Sequence, residues 1–144
     1  YPDYFAALVP IAAPLTVDQS GIDKLKNQPM WLIHTKADAT VQPENSVLPL
    51  YKSLITSGAT NKWFSYFETA TGTDLPGTEY DGHWAWIYFF HDQVIGVQHP
   101  ENTKNWDGYS GMVATDPTNG GGSRASVNGQ TYNSIFDWMS AQRH

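Results

Sequence analysis

The chain has 144 residues, of which 40% are apolar and 14% aromatic, so it can build one domain with its own hydrophobic core. Its net charge of −6 and its eight scattered Lys and Arg residues exclude the basic surface that nucleic-acid binding requires. It has no cysteine, which excludes disulfides and thiolate metal sites, and no apolar run approaches the roughly 20 residues of a membrane-spanning helix.

Three apolar runs predict the strands of a parallel sheet. Residues 4–14 are almost continuously apolar and end at a proline, as expected for a strand buried on both faces. Met30–Thr35 predicts a second strand, and the aromatic-rich residues 63–68 predict a third.

Helical patterns separate these strands. Two apolar residues one turn apart predict a short amphipathic helix within residues 18–28. Residues 44–57 place their apolar side chains on one helical face, with Glu44 in the first turn and Gly58 where a left-handed C-cap is expected. The alternation of strand and helix is typical of a parallel α/β sheet.

The remainder of the chain is less regular. A polar loop is expected at residues 69–82, and the apolar residues 83–90 favour a buried helix over a strand. Residues 102–128 contain a glycine triplet and many small polar residues, which predicts an irregular excursion before the last element. Residues 132–139 carry apolar side chains at helical spacing and predict a closing amphipathic helix.

Asp38 and His83 are the candidate catalytic residues. Each follows a predicted parallel strand, so both are expected at the carboxyl edge of the sheet, where open α/β sheets bind ligands. A carboxylate there can fix the tautomer of an imidazole and stabilise the imidazolium that forms when the histidine deprotonates a serine. If Trp84 opens a helix, the positive end of the helix dipole also disfavours protonation of His83. Taken singly, Asp38 fits a turn that binds backbone amides, and His83 fits a core or cap histidine.

The other candidates carry weaker signals. Ser110 lies in a segment whose spacing does not fit Gly-x-Ser-x-Gly and which follows no buried strand, so it is interpreted as a loop residue. Most tryptophans are interpreted as core or pocket walls, with Trp84 lining the substrate pocket, whereas Trp106 lies in a polar loop where it could contact a ligand. The remaining histidines show no metal-ligand spacing, so they are interpreted as structural or surface residues, and no metal or organic cofactor is expected: His34, His91, His99 and His144.

Two segments resemble loops of the α/β-hydrolase superfamily, particularly of its esterase and prolyl-oligopeptidase-like branch, which includes enzymes similar to dienelactone hydrolases and polyhydroxybutyrate depolymerases. Residues 33–43, Ile-His-Thr-Lys-Ala-Asp-Ala-Thr-Val-Gln-Pro, resemble the acid loop of that family, with Asp38 at the position of the triad acid. The Gly-His-Trp sequence around His83 resembles its histidine loop. The resemblance covers residues 1–90 and implies that residues 1–144 form the C-terminal half of a single α/β-hydrolase domain.

The resemblance implies a carboxylic ester hydrolase with a Ser-His-Asp triad, to which this chain supplies Asp38 and His83. The serine and the oxyanion hole would come from an N-terminal segment, and the substrate would be a small-molecule or polymer ester. Because residues 1–4 lack the features of a secretory signal, we expect the chain to begin within a longer protein. A composition poor in Lys and rich in Asn, Thr, Gly, Ser and Trp indicates a secreted bacterial enzyme, and we expect no membrane or nucleic-acid partner.

Two alternative functions fit the sequence. A prolyl-oligopeptidase-like serine peptidase is one, because the same resemblance covers ester and amide cleavage. A non-catalytic carbohydrate-binding domain is the other, because the chain combines many aromatic residues with acidic, Asn-rich loops, and Trp106 would then contact the carbohydrate.

Overall fold

The computed structural model describes residues 4–71, 75, 77–94, 96–98, 114–115 and 122–143. The helices and strands follow one another in the order α1 (Gln19–Leu25), β1 (Met30–Thr35), α2 (Val47–Thr56), β2 (Lys62–Phe67), β3 (Ala70–Thr71), β4 (Glu79–Tyr80), α3 (Trp86–Phe90), β5 (Val97–Gln98), β6 (Gly122–Ser123), β7 (Ser126–Val127), β8 (Gln130–Thr131) and α4 (Ile135–Ala141).

Strands β1 and β2 are parallel neighbours, paired in register from Met30 with Lys62 to Thr35 with Phe67. All six residues of β1 are buried, and its alternate side chains point into two separate cores because successive side chains of a strand face opposite ways. The first core packs β1 and β2 against α1 and α2, and the second packs them against α3 and α4. The prediction of adjacent parallel strands linked by a helix is confirmed.

Residues 4–14 run parallel to β1 but do not form the predicted strand buried on both faces. Two isolated bridges join Leu8 to Met30 and Ile11 to Ile33, and within this segment Ala12 alone is buried. Pro10 has no N–H to donate, so the hydrogen-bond ladder to β1 is interrupted in its middle. Because every residue of the segment except Ala12 is at least partly exposed, the prediction of burial on both faces is wrong.

The helix predicted at residues 44–57 begins later than expected. Glu44 lies in a separate 3₁₀ turn, Pro43–Asn45, and the non-helical backbone of Ser46 separates this turn from α2. The predicted place of Glu44 in the first turn of the helix is therefore wrong. Gly58 has a φ of +76° just beyond the helix, which confirms the predicted left-handed cap.

The shorter helices α1 and α4 overlap their predicted segments and begin at side-chain caps. The Asp18 carboxylate accepts a hydrogen bond from the backbone N–H of Gly21 at 2.8 Å, and the Ser134 hydroxyl accepts one from Asp137. A hydrogen bond joins helix α4 to the start of β2: the indole N–H of Trp138 donates to the Asn61 side chain at 3.0 Å. Among the described helices, none is both long and apolar enough to cross a membrane.

Two regions expected to be irregular contain short antiparallel pairs. The predicted loop at residues 69–82 contains the pair β3 and β4. Within residues 102–128, β6 pairs with β5, and β7 forms a hairpin with β8 through a tight turn at Asn128 and Gly129, both with positive φ. The prediction of an irregular segment is wrong at these strands, and residues 102–113 and 116–121 lie outside the described part of the chain.

Candidate functional site

Asp38 lies in the loop that follows β1, and its carboxylate is almost fully buried, with 2% of the residue exposed. Its Oδ1 atom accepts hydrogen bonds from the backbone N–H groups of Thr40 at 2.9 Å and Val41 at 2.7 Å. Oδ1 therefore makes the backbone contacts that the turn interpretation of Asp38 predicts.

The second oxygen, Oδ2, faces two imidazole rings. His83 Nδ1 lies 2.9 Å from it, and His34 Nε2 lies 3.2 Å from it. The structure thus brings together Asp38 and His83, which are 45 residues apart in the sequence.

One contact shapes the turn that carries His83, and two more hold this turn against the acid loop. The backbone N–H of His83 donates to the Asp81 carboxylate at 2.9 Å, which forms a tight turn, and the Thr35 hydroxyl at the end of β1 donates to the carbonyl of Gly82. Gly82 packs so closely on this loop that an added Cβ would lie 2.3 Å from the carbonyl carbon and oxygen of Ala37. A side chain at position 82 would therefore push the two loops apart.

The expected helix at residues 83–90 is restricted to α3, which begins at Trp86. Trp84 instead lies in the turn, with its N–H bonded to the carbonyl of Asp81 at 2.9 Å. Because Trp84 does not open the helix, the prediction that a helix dipole acts on His83 from this position is wrong.

The contact with Asp38 fixes which nitrogen of His83 is available for chemistry. A carboxylate oxygen accepts hydrogen bonds, so in the neutral ring Nδ1 carries the proton and Nε2 has the lone pair. The side chain is 28% exposed, and the described residues provide no hydrogen-bond partner for Nε2. An imidazole in this state can accept a proton from a hydroxyl that lies within hydrogen-bond distance of Nε2.

No serine in the described part of the chain hydrogen-bonds to the His83 ring, and Ser110 lies outside that part. Among the described residues, no group of three or more His, Cys, Asp or Glu side chains is arranged to hold a metal ion.

Aromatic rings form a surface next to His83. Trp84 is 44% exposed and stacks between Tyr80, at a centroid distance of 5.8 Å, and Trp86, at 6.2 Å. The His83 and Trp86 rings are nearly perpendicular, with their centroids 5.4 Å apart. Trp84 is therefore linked to His83 through Trp86, whereas Trp106 lies outside the described residues.

Sequence reasoning missed His34 as a member of this cluster. The residue is fully buried at the end of β1, and burial lowers its pKa below the usual value of 6.5. The available signal was its position four residues before Asp38, across the turn that ends the strand. Of the other histidines, His91 is exposed, and His99 and His144 lie outside the described residues.

Comparison with known proteins shows a similarity to a solved structure. No protein-family profile and no curated protein matches the chain. A solved structure, described as that of a thermostable esterase, is similar at 28% sequence identity over 65% of this chain, with a TM-score of 0.52. The chain spans about a quarter of that esterase, since the match covers 23% of it. The similarity supports an esterase-like α/β-hydrolase fold.

Proposed function

We propose that this chain is the C-terminal part of a carboxylic ester hydrolase that uses a Ser-His-Asp triad. Asp38 is the acid, His83 is the general base, and an N-terminal segment of the same hydrolase supplies the serine and the oxyanion hole. The observation that carries the proposal is the 2.9 Å contact between His83 Nδ1 and the buried Oδ2 of Asp38. The similarity to a solved esterase favours ester substrates over peptides or a purely carbohydrate-binding role.

In the proposed reaction, the serine Oγ forms a bond to the ester carbonyl carbon while His83 Nε2 accepts the serine proton. The C–O bond to the alcohol then breaks, and the alcohol leaves with the proton that His83 returns. Water attacks the acyl-enzyme in the same way, with His83 again moving the proton. Asp38 keeps the Nδ1 proton in place and stabilises the positive charge that His83 carries in each step.

Backbone geometry supports the proposed N-terminal segment. Residues 8–12 direct alternate N–H and C=O groups towards β1, whereas the backbone groups of Val9 and Ile11 on the opposite edge have no hydrogen-bond partner among the described residues. Such an open edge accepts a further strand, and the side chains along it are half-exposed. A preceding strand of the same hydrolase would satisfy this edge and continue the sheet.

We further propose that Trp84 lines the substrate pocket and contacts a small-molecule or polymer ester. Its exposed ring stacks with Trp86, which in turn contacts the His83 ring, and this arrangement supports a contact between Trp84 and substrate near His83. Secretion of the enzyme is also a proposal, and it is based on composition alone.

The triad assignment is tested in the full-length hydrolase with a short-chain aryl ester. His83→Ala should lower kcat/KM by about three orders of magnitude or more, and Asp38→Asn by about 10⁴, because it leaves His83 in the wrong tautomer. Adding Asp38→Ala to His83→Ala should cost little more than His83→Ala alone, since the two residues act as one unit.

The matched control is His91→Ala, which removes an exposed histidine from the end of α3 and should leave the rate unchanged. Circular dichroism should show that every variant is folded. Near-wild-type activity of folded His83→Ala would refute the assignment, as would fully multiplicative losses in the double variant.

A further inference from the structure

We infer that His34 is a positioning residue of the candidate triad, whose Nε2–H donates to the Val41 carbonyl and so fixes the loop that holds Asp38 for His83. The inference rests on the proposed function, because it assigns a role to a side chain that contacts the proposed acid. Its basis is the 2.8 Å hydrogen bond from His34 Nε2 to the Val41 carbonyl, together with the 3.2 Å approach of the same nitrogen to Asp38 Oδ2, both side chains being buried.

The tautomer of His34 follows from its neighbours. Nε2 lies 2.8 Å from the carbonyl oxygen of Val41, which can only accept a hydrogen bond, so Nε2 carries a proton. That proton is donated to the Val41 carbonyl, and Nε2 also lies 3.2 Å from Asp38 Oδ2, a contact without a hydrogen bond. Nδ1 is buried and has no hydrogen-bond partner among the described residues, so the polar contacts of the ring are made through Nε2.

Two hydrogen bonds of Val41 connect His34 to the acid. The backbone N–H of Val41 donates to Asp38 Oδ1 at 2.7 Å, and the carbonyl of the same residue accepts from His34. Oδ1 is thereby fixed by backbone amides, and Oδ2 pairs with His83 Nδ1. Because His34 holds Val41 and packs against Oδ2, rotation of the carboxylate away from His83 is opposed.

The charge state of His34 suits this role. Burial lowers the pKa of the ring, and the groups that face it are Asp38, His83 and Glu44. A neutral ring beside Oδ2 leaves the negative charge of Asp38 uncancelled, whereas a cation there would form an ion pair that competes with the imidazolium of His83. The negative charge therefore stays available to His83 during proton transfer.

Two amide variants test whether the position of the donor matters or only the presence of a polar group. The amide nitrogen of His34→Gln can reach the position of Nε2, whereas that of His34→Asn reaches only the position of Nδ1. We expect His34→Asn to lower kcat on an aryl ester by roughly 10- to 100-fold with little change in KM, because misplacing a catalytic group costs up to about this factor. His34→Gln should recover most of the loss, and His34→Leu should resemble His34→Asn.

The same substitutions in an Asp38→Asn background test whether His34 acts through the acid. There, His34→Asn should change kcat by less than about twofold, because the carboxylate it positions is already absent. Equal losses in both backgrounds, or equal activity of the Gln and Asn variants in the wild-type background, would overturn the inference. If His34→Asn fails to fold, His34→Leu takes its place in both backgrounds.

The activity of His83→Ala tests the triad proposal separately. Full activity of that variant would remove the proposed function. Loss of activity in His83→Ala together with wild-type kcat in folded His34→Asn and His34→Leu would remove only the positioning role of His34.

Discussion

The hydroxyl of Thr35, the last residue of β1, donates a hydrogen bond to the carbonyl oxygen of Gly82, which directly precedes His83. A buried strand end therefore holds the loop that carries the imidazole. The same approach leaves no room for a Cβ at position 82, because the Ala37 carbonyl lies 2.3 Å from where that atom would be.

Gly82→Ala should consequently separate His83 from Asp38. A methyl group in contact with the backbone of Ala37 forces one loop to shift, and a displacement of about 1 Å at a catalytic group can lower the rate by about 100-fold. The measurement is kcat of the full-length hydrolase on an aryl ester, together with its thermal midpoint. The matched control is Gly129→Ala. The added Cβ at this position meets no atom within 4 Å, and the φ of +81° strains the backbone far from the histidine loop in sequence. If both variants lose stability and retain kcat, the close contact at Gly82 has no part in positioning His83.

Trp84→Ala tests the proposed pocket wall. We expect KM for an aryl or polymer ester to rise about fivefold, which corresponds to an aromatic contact of about 1 kcal/mol, with stability nearly unchanged because the ring is 44% exposed. Trp84→Phe should retain most of the affinity. Phe90→Ala is the control, since this ring is 73% exposed at the far end of α3. An unchanged KM in Trp84→Ala, or an equal rise in Phe90→Ala, would contradict a contact with substrate.

Lys62 gives a pH dependence of stability that is independent of the candidate site. Its ammonium group is buried at the start of β2 and donates to three backbone carbonyls, those of Lys26, Gln28 and Thr60. Burial lowers its pKa from 10.5 to about 8. Between these two values the unfolded chain binds more protons than the folded chain, so the free energy of unfolding should rise with pH, by at most about 1.4 kcal/mol per pH unit.

The measurement is urea denaturation of the wild type and of Lys62→Met at several pH values. The difference in free energy of unfolding, wild type minus variant, should be flat below pH 8 and should increase from about pH 8 to 10.5. Subtracting the variant removes the contributions of tyrosines that titrate in the same range. A flat difference across this window would show that the pKa of Lys62 is not lowered.

The sequence predicted the central βαβ unit well because its patterns are local. Met30–Thr35 has the bounds that the structure gives, since a run of large apolar residues after a proline has few alternatives to a buried strand. The start of α2 was less predictable, because Pro43 and Ser46 introduce a separate 3₁₀ turn whose backbone the apolar periodicity does not report. The strand expected at residues 4–14 failed for a similar reason, since Pro10 removes one donor from an otherwise suitable ladder.

By itself, the sequence determined the alternation of strands and helices and the order in which Asp38 and His83 follow them, because both depend on neighbouring residues and on the handedness of parallel connections. Tertiary structure alone decided that Oδ1 of Asp38 binds backbone amides while Oδ2 faces His83, and that His34 shares the same oxygen. It also decided that position 82 must lack a side chain. These features arise where segments distant in the sequence pack at atomic distances, and the periodicity of a single chain carries no information about such distances.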